Sequence, residues 1–112
     1  MARAYLAVRA EVPEGERERF DHWYETDHLP WALRAFAARR AWRCWSRNDP
    51  RGDPKGDLYV HVAFYEFDSV AAAEAATAPD KIAPLVADFD RVWGDRVARR
   101  RAILDIVQEI GP

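Results

Sequence analysis

The chain has 112 residues, 49% of them apolar and 32% charged, and a formal net charge of −2. That length fits one domain spanning 1–112 with one hydrophobic core, and the composition excludes a disordered chain. The lack of excess positive charge excludes nucleic acid as a main partner, because phosphates must be neutralised by cations.

Residues 4–10 form a short apolar run that ends at Val12-Pro13-Glu14-Gly15, which predicts a strand and a turn. No apolar run at the start suits a secretion signal and none elsewhere suits a membrane span, so a cytoplasmic protein with no membrane partner is expected. Helix signals begin near Glu14, with acidic residues in the first turn, where the helix dipole favours them. Pro30 disfavours helical geometry at Leu29, so the first helix is expected to end near Asp27 or His28. A short second helix over 30–36 should follow the bend, since proline suits a first helical position.

Residues 38–47 alternate: Arg40, Trp42, Cys44 and Ser46 share one face, and Arg39, Ala41, Arg43, Trp45 and Arg47 the other. A strand is predicted there. Cys44 is the only cysteine, which excludes an intramolecular disulfide or a multi-cysteine metal site and points to a reducing compartment. Residues 48–57 are almost all turn formers and predict a loop. The strongest strand signal covers 58–67, with Leu58, Val60, Val62 and Phe64 on one face and Tyr59, His61, Ala63, Tyr65 and Phe67 on the other. Asp68 or Ser69 should cap an alanine-rich helix over 70–77. After Pro79, the residues Leu85, Val86, Phe89, Val92 and Trp93 recur with helical spacing up to Gly94. A last strand is expected over 97–110, centred on Ile103, Leu104, Ile106 and Val107.

Strand, helix, strand, strand, helix, strand makes two βαβ halves. The usual solution is an α+β, ferredoxin-like βαββαβ sandwich: a four-stranded antiparallel sheet with helices on one face. The last two strands read apolar on both faces, whereas helices cover only one. A partner subunit is the simplest cover for the other, so a homodimer through the sheet is expected.

The most informative stretch is Phe20-Asp21-His22-Trp23-Tyr24-Glu25-Thr26-Asp27-His28-Leu29-Pro30-Trp31. On a helix, Phe20, Trp23, Tyr24, Asp27, His28 and Trp31 fall on one broad face. Rings mixed with titratable groups suit a cavity that holds something flat or apolar and moves a proton. The run Phe20, Trp23-Tyr24, His28, Pro30 resembles the F-x-x-W-Y-x-x-x-H-x-P pattern of the EthD-like branch of dimeric α+β barrel proteins, and the order of elements extends that resemblance over the chain. The superfamily includes cofactor-free monooxygenases of polyketide phenols, lactone isomerases and haem-binding enzymes. The resemblance implies a pocket between helices and sheet, roofed by the helix that carries Trp23, Tyr24 and His28. Relatives often have a Pro-Gly turn before the second strand, where this chain reads Arg34-Ala35-Phe36-Ala37-Ala38.

His28 is the first catalytic candidate. At a helix end the terminal carbonyls favour its imidazolium form, and an ordinary pKa near 6.5 allows either role in proton transfer. The same histidine would also cap carbonyls and fix the bend at Pro30. His61 shares its face with Tyr59, Ala63 and Tyr65. If that face lines the pocket, His61 and Tyr65 form the wall opposite His28; if it meets the partner subunit, they form an interface network. Phe20, Trp23, Tyr24, Trp31 and Tyr59 suit the walls of a site for flat substrates, and suit a plain core equally.

Arg9, Arg40 and Arg43 are placed to neutralise an anionic substrate, although a solvated edge strand explains them better. Arg99, Arg100 and Arg101 are expected to face water. No metal is expected, because His22 and His28 point about 120° apart on a helix. Nucleotide and phosphate-loop patterns are absent, and haem would need His28 or His61 as its axial ligand.

The leading expectation is a small cofactor-independent enzyme acting on a hydrophobic, aromatic or polyketide-like substrate. His28 would be the base or acid, His61 or Tyr65 would orient or polarise an oxygen, and oxygenation, isomerisation, cyclisation or loss of water would all fit. The alternative is a non-catalytic dimeric ligand-binding or scaffold protein whose core uses the same residues.

Overall fold

The computed structural model describes residues 3–47 and 58–112. Strand β1 covers Ala4–Pro13, β2 Arg40–Trp45, β3 Leu58–Phe67 and β4 Ala98–Asp105, in one sheet of order β2-β3-β1-β4. All three neighbouring pairs are antiparallel. The architecture is the expected ferredoxin-like α+β sandwich. The turn-forming run 48–57 lies outside the described residues.

Register settles which face each residue takes. Val8, Ala10 and Val12 pair with Ala63, His61 and Tyr59 on one side of the sheet. Ala41 and Trp45 of β2 pair with Tyr65 and His61 on that same side. This face carries the helices, and its residues with Phe20, Tyr24, Phe89 and Trp93 make the buried core. Tyr5, Trp42 and Phe64 lie on the open face, where Trp42 and Phe64 stack at 5.4 Å and Tyr5 meets Trp42 edge-on at 5.2 Å. His61 therefore faces the helices of its own chain, not the open face.

The first helical region departs from expectation. A 3₁₀ turn, Glu14–Glu16, leads into α1, Arg17–Trp23; a π-helical turn, Tyr24–His28, then joins it to α2, Leu29–Phe36. Leu29 keeps helical angles (φ −63°, ψ −46°), and its N–H donates to the Tyr24 carbonyl five residues back. The chain does not break before Pro30, because the wider π turn takes up the residue whose carbonyl a proline ring would otherwise strike. α2 ends at Ala37, which adopts the left-handed φ of +52° usually left to glycine, so the turn before β2 is made without one.

Helix α3, Val70–Ala76, is capped by the Ser69 hydroxyl, which accepts from the Ala72 N–H at 3.0 Å. Helix α4 covers Pro79–Val92. β4 ends at Asp105, short of the expected 110; Val107 and Ile110 are 91% and 83% exposed. The pairing of β4 with β1 runs to Asp105, opposite Ala4, and one further backbone bond joins Ile106 N–H to the Arg3 carbonyl at 3.4 Å. No helix among the described residues is long and apolar enough to cross a membrane.

Candidate functional site

The π turn brings two of its residues, Tyr24 and His28, to the sheet. An inserted residue widens a helix and re-aims the side chains of the next turn, a device frequent at functional sites. Both side chains are buried, and they border a cavity of about 90 Å³ between the sheet and α4. Val8, Phe36, Ile82, Leu85, Val86 and Phe89 supply its apolar lining, and Tyr65 and the stretch Arg99 to Arg101 complete it.

His28 sits in an aromatic nest. Trp23 stacks on its ring at 4.5 Å, Tyr24 meets it at 4.9 Å, and the edges of Trp31 and Phe89 approach at 6.1 and 6.2 Å. Burial, reinforced by the charge of Arg99 and opposed by Asp88, pushes its pKa down to about 4. The expected imidazolium is overturned. His28 is not at a helix end, so no free carbonyls stabilise the charge, and the rings around it replace water. Its Nδ1 has no hydrogen-bond partner among the described residues, and the nearest carboxylate oxygen, on Asp88, is 3.9 Å away. That is beyond hydrogen-bond reach. A neutral imidazole that borders a cavity can accept a proton.

Tyr24 and Tyr65 hydrogen-bond to each other. Burial raises both phenols, Tyr24 to about 12 and Tyr65 well above its ordinary value. They stay protonated at neutral pH and can present hydroxyl groups to an oxygen atom in the cavity.

His61 is wholly buried but does not border the cavity. It lies behind Tyr24, ring centroids 4.5 Å apart, with Phe20 and Trp45 each 5.0 Å from it. Arg43 places Nη1 3.3 Å from His61 Nε2 and 2.8 Å from Asp21 Oδ1, which also accepts from the Trp45 indole at 2.8 Å. A guanidinium only donates, so Nε2 accepts and the ring proton resides on Nδ1. Burial first, then Arg43, lowers the pKa of His61 to about 3.

The other sequence candidates scatter. Phe20 is sealed beneath Trp23 and Tyr24, while Trp23 and Trp31 pack around His28 outside the cavity lining. Tyr59 lies at the far end of β3, its ring 4.3 Å under the Arg17 guanidinium. Arg43 serves the Asp21–His61 cluster, Arg40 pairs with buried Glu66 at 2.8 Å, and Arg9 pairs with Glu11 at 2.8 Å. The expectation that residues 99–101 face water is corrected at Arg99. It pairs in register with Ala10 on the helix face and lies 3.9 Å over the Phe89 ring. Strict strand alternation held the signal: a charge run on a strand must send every second side chain inward.

Among the described residues no three His, Cys, Asp or Glu side chains gather where they would hold a metal. A cavity of about 90 Å³ has no room for a macrocycle, so the residues do not fit haem.

No protein-family model matches the chain, and no curated protein matches it in sequence. Solved structures do match. An EthD-family protein of Bacillus halodurans superposes with a TM-score of 0.62 at 19% identity, over 91% of this chain and 97% of that one. A dimeric ferredoxin-like protein from an uncultured marine organism gives 0.62 at 15% identity, over 98% and 100%. A mutant of SnoaB, a cofactor-independent oxygenase of Streptomyces nogalater, gives 0.51 at 13% identity, over 97% and 98%. The chain has the ferredoxin-like, dimeric α+β barrel type of fold found in EthD-like proteins.

Proposed function

We propose that this chain is a small enzyme that takes a proton from a hydrophobic, aromatic substrate without a metal or nucleotide cofactor. The observation that carries the reading is the convergence of neutral His28 and the Tyr24–Tyr65 phenol pair on one apolar cavity. His28 accepts the proton, Asp88 lies on the side where the resulting imidazolium forms, and Tyr24 or Tyr65 donates to the oxygen that becomes negative. His61 acts through Tyr24, as a positioning residue. The substrate anion is the common start of oxygenation, isomerisation or loss of water. SnoaB, a cofactor-independent oxygenase on this fold, supports the general type.

The working unit in this proposal is a homodimer. The open sheet face carries Tyr5, Trp42 and Phe64 in contact with one another and a 44% exposed Leu104, and a second copy is its natural cover; the dimeric ferredoxin-like neighbour supports a dimer. One observation favours the rival reading of a binding or scaffold protein. The cavity of about 90 Å³ is smaller than the roughly 150 Å³ that encloses benzene. A substrate ring must therefore enter only in part and leave the rest at the mouth.

The test is a screen of phenols for turnover by the wild type and by His28→Gln. The proposal expects the variant to stay folded and lose about 10²–10⁴-fold in rate. Turnover that survives the substitution removes His28 as the base, and a variant that unfolds while the wild type turns nothing over supports the scaffold reading.

A further inference from the structure

Three arginines and no carboxylate border the cavity among the described residues. Register puts Arg99 and Arg101 on the helix face of β4, opposite Ala10 and Val8. The Arg99 side chain is 21% exposed and its guanidinium carbon lies 3.9 Å over the Phe89 ring. It pairs at 3.2 Å with Asp90, which is 61% exposed, and so solvated a partner neutralises little of a guanidinium's charge. The charge of Arg99 also reaches inward, where it lowers the proton affinity of both Tyr24 and His28. The small volume of the cavity already requires a ligand that keeps its polar end at the mouth.

We infer that the cavity takes an aromatic anion, its ring against Leu85 and Phe89 and its charged oxygen at Arg99. The inference rests on the cavity being the ligand site of the proposed enzyme. A planar guanidinium held over a ring offers parallel N–H donors to a carboxylate in the geometry that pairs best. An acid whose second oxygen is a phenol would place that hydroxyl toward His28 and the tyrosines.

Salicylate and its uncharged analogue salicylamide, titrated into the full-chain protein by calorimetry while the His28 ring signals are followed by NMR, test this. Salicylate should bind at least about tenfold more tightly than salicylamide, as a charge-assisted pair does, with both moving the His28 signals. Arg99→Gln should bring the two affinities together by weakening salicylate alone, and Arg99→Lys should keep most of the preference. Equal binding by the wild type, or a preference that survives Arg99→Gln, overturns the anion subsite and leaves the cavity as a ligand site. If neither compound moves His28, the ligand-site reading falls, and the subsite with it.

Discussion

Two buried histidines flank Tyr24, and the chain treats them differently. His61 has its Nε2 held by Arg43, is walled by Phe20 and Trp45, and does not border the cavity, although its Nδ1, like that of His28, has no hydrogen-bond partner among the described residues. His28 has no hydrogen bond at Nδ1 and borders the cavity. Both are neutral at pH 7, and for the same first cause, burial. Depressed basicity alone therefore does not mark the site. What separates the pair is whether the unengaged nitrogen has somewhere to deliver or receive a proton.

The harshest way to break that contrast is to remove the ring both ends share. Phe20 is fully buried and touches Tyr24, His61, Phe89 and Trp93. Phe20→Ala should cost about 3–5 kcal/mol, measured by urea unfolding, and collapse both regions together.

Acid should act on both as well. Unfolded, each histidine takes its ordinary pKa near 6.5; folded, His28 titrates at about 4 and His61 at about 3. Between those values the unfolded chain binds protons the folded chain refuses. Stability is full above pH 6.5 and falls as the pH drops toward 4, by on the order of 3 kcal/mol from His28 alone. Unfolding midpoints at pH 7 and 4.5 give the slope, and His28→Gln should flatten it.

Arg43→Ala sharpens the contrast. It strands His61 Nε2, should cost about 1–3 kcal/mol, and should raise the pKa of His61 in an NMR titration while leaving that of His28 in place. The smallest effect touches neither end. Ala37→Gly relieves a left-handed alanine and should add about 0.5–1 kcal/mol of stability, a control in which both histidine titrations stay unchanged.

Much of the fold was legible because period-2 and period-3.6 patterns report burial directly. The faces of 58–67 and the stripe of Leu85, Val86 and Phe89 stand where alternation and spacing put them. The π turn was not legible: a proline after a histidine reads as a stop, and only packing against the sheet decides whether the helix widens or breaks. That miss inverted the charge expected for His28, since the helix-end argument needs an end. The pairing of Tyr24 with Tyr65 crosses from helix to strand, a distance no local pattern encodes. Arg99 was legible in principle, because a run of three arginines looks solvated as composition but cannot be so as a strand.

The most direct measurement is a phenol titration of the isotope-labelled protein, following the ring signals of both histidines. The account predicts that His28, with Tyr24 and Tyr65, shifts to saturation while the Arg43-bound nitrogen of His61 stays fixed. A response centred on His61 with His28 unmoved, or none at either, would contradict it.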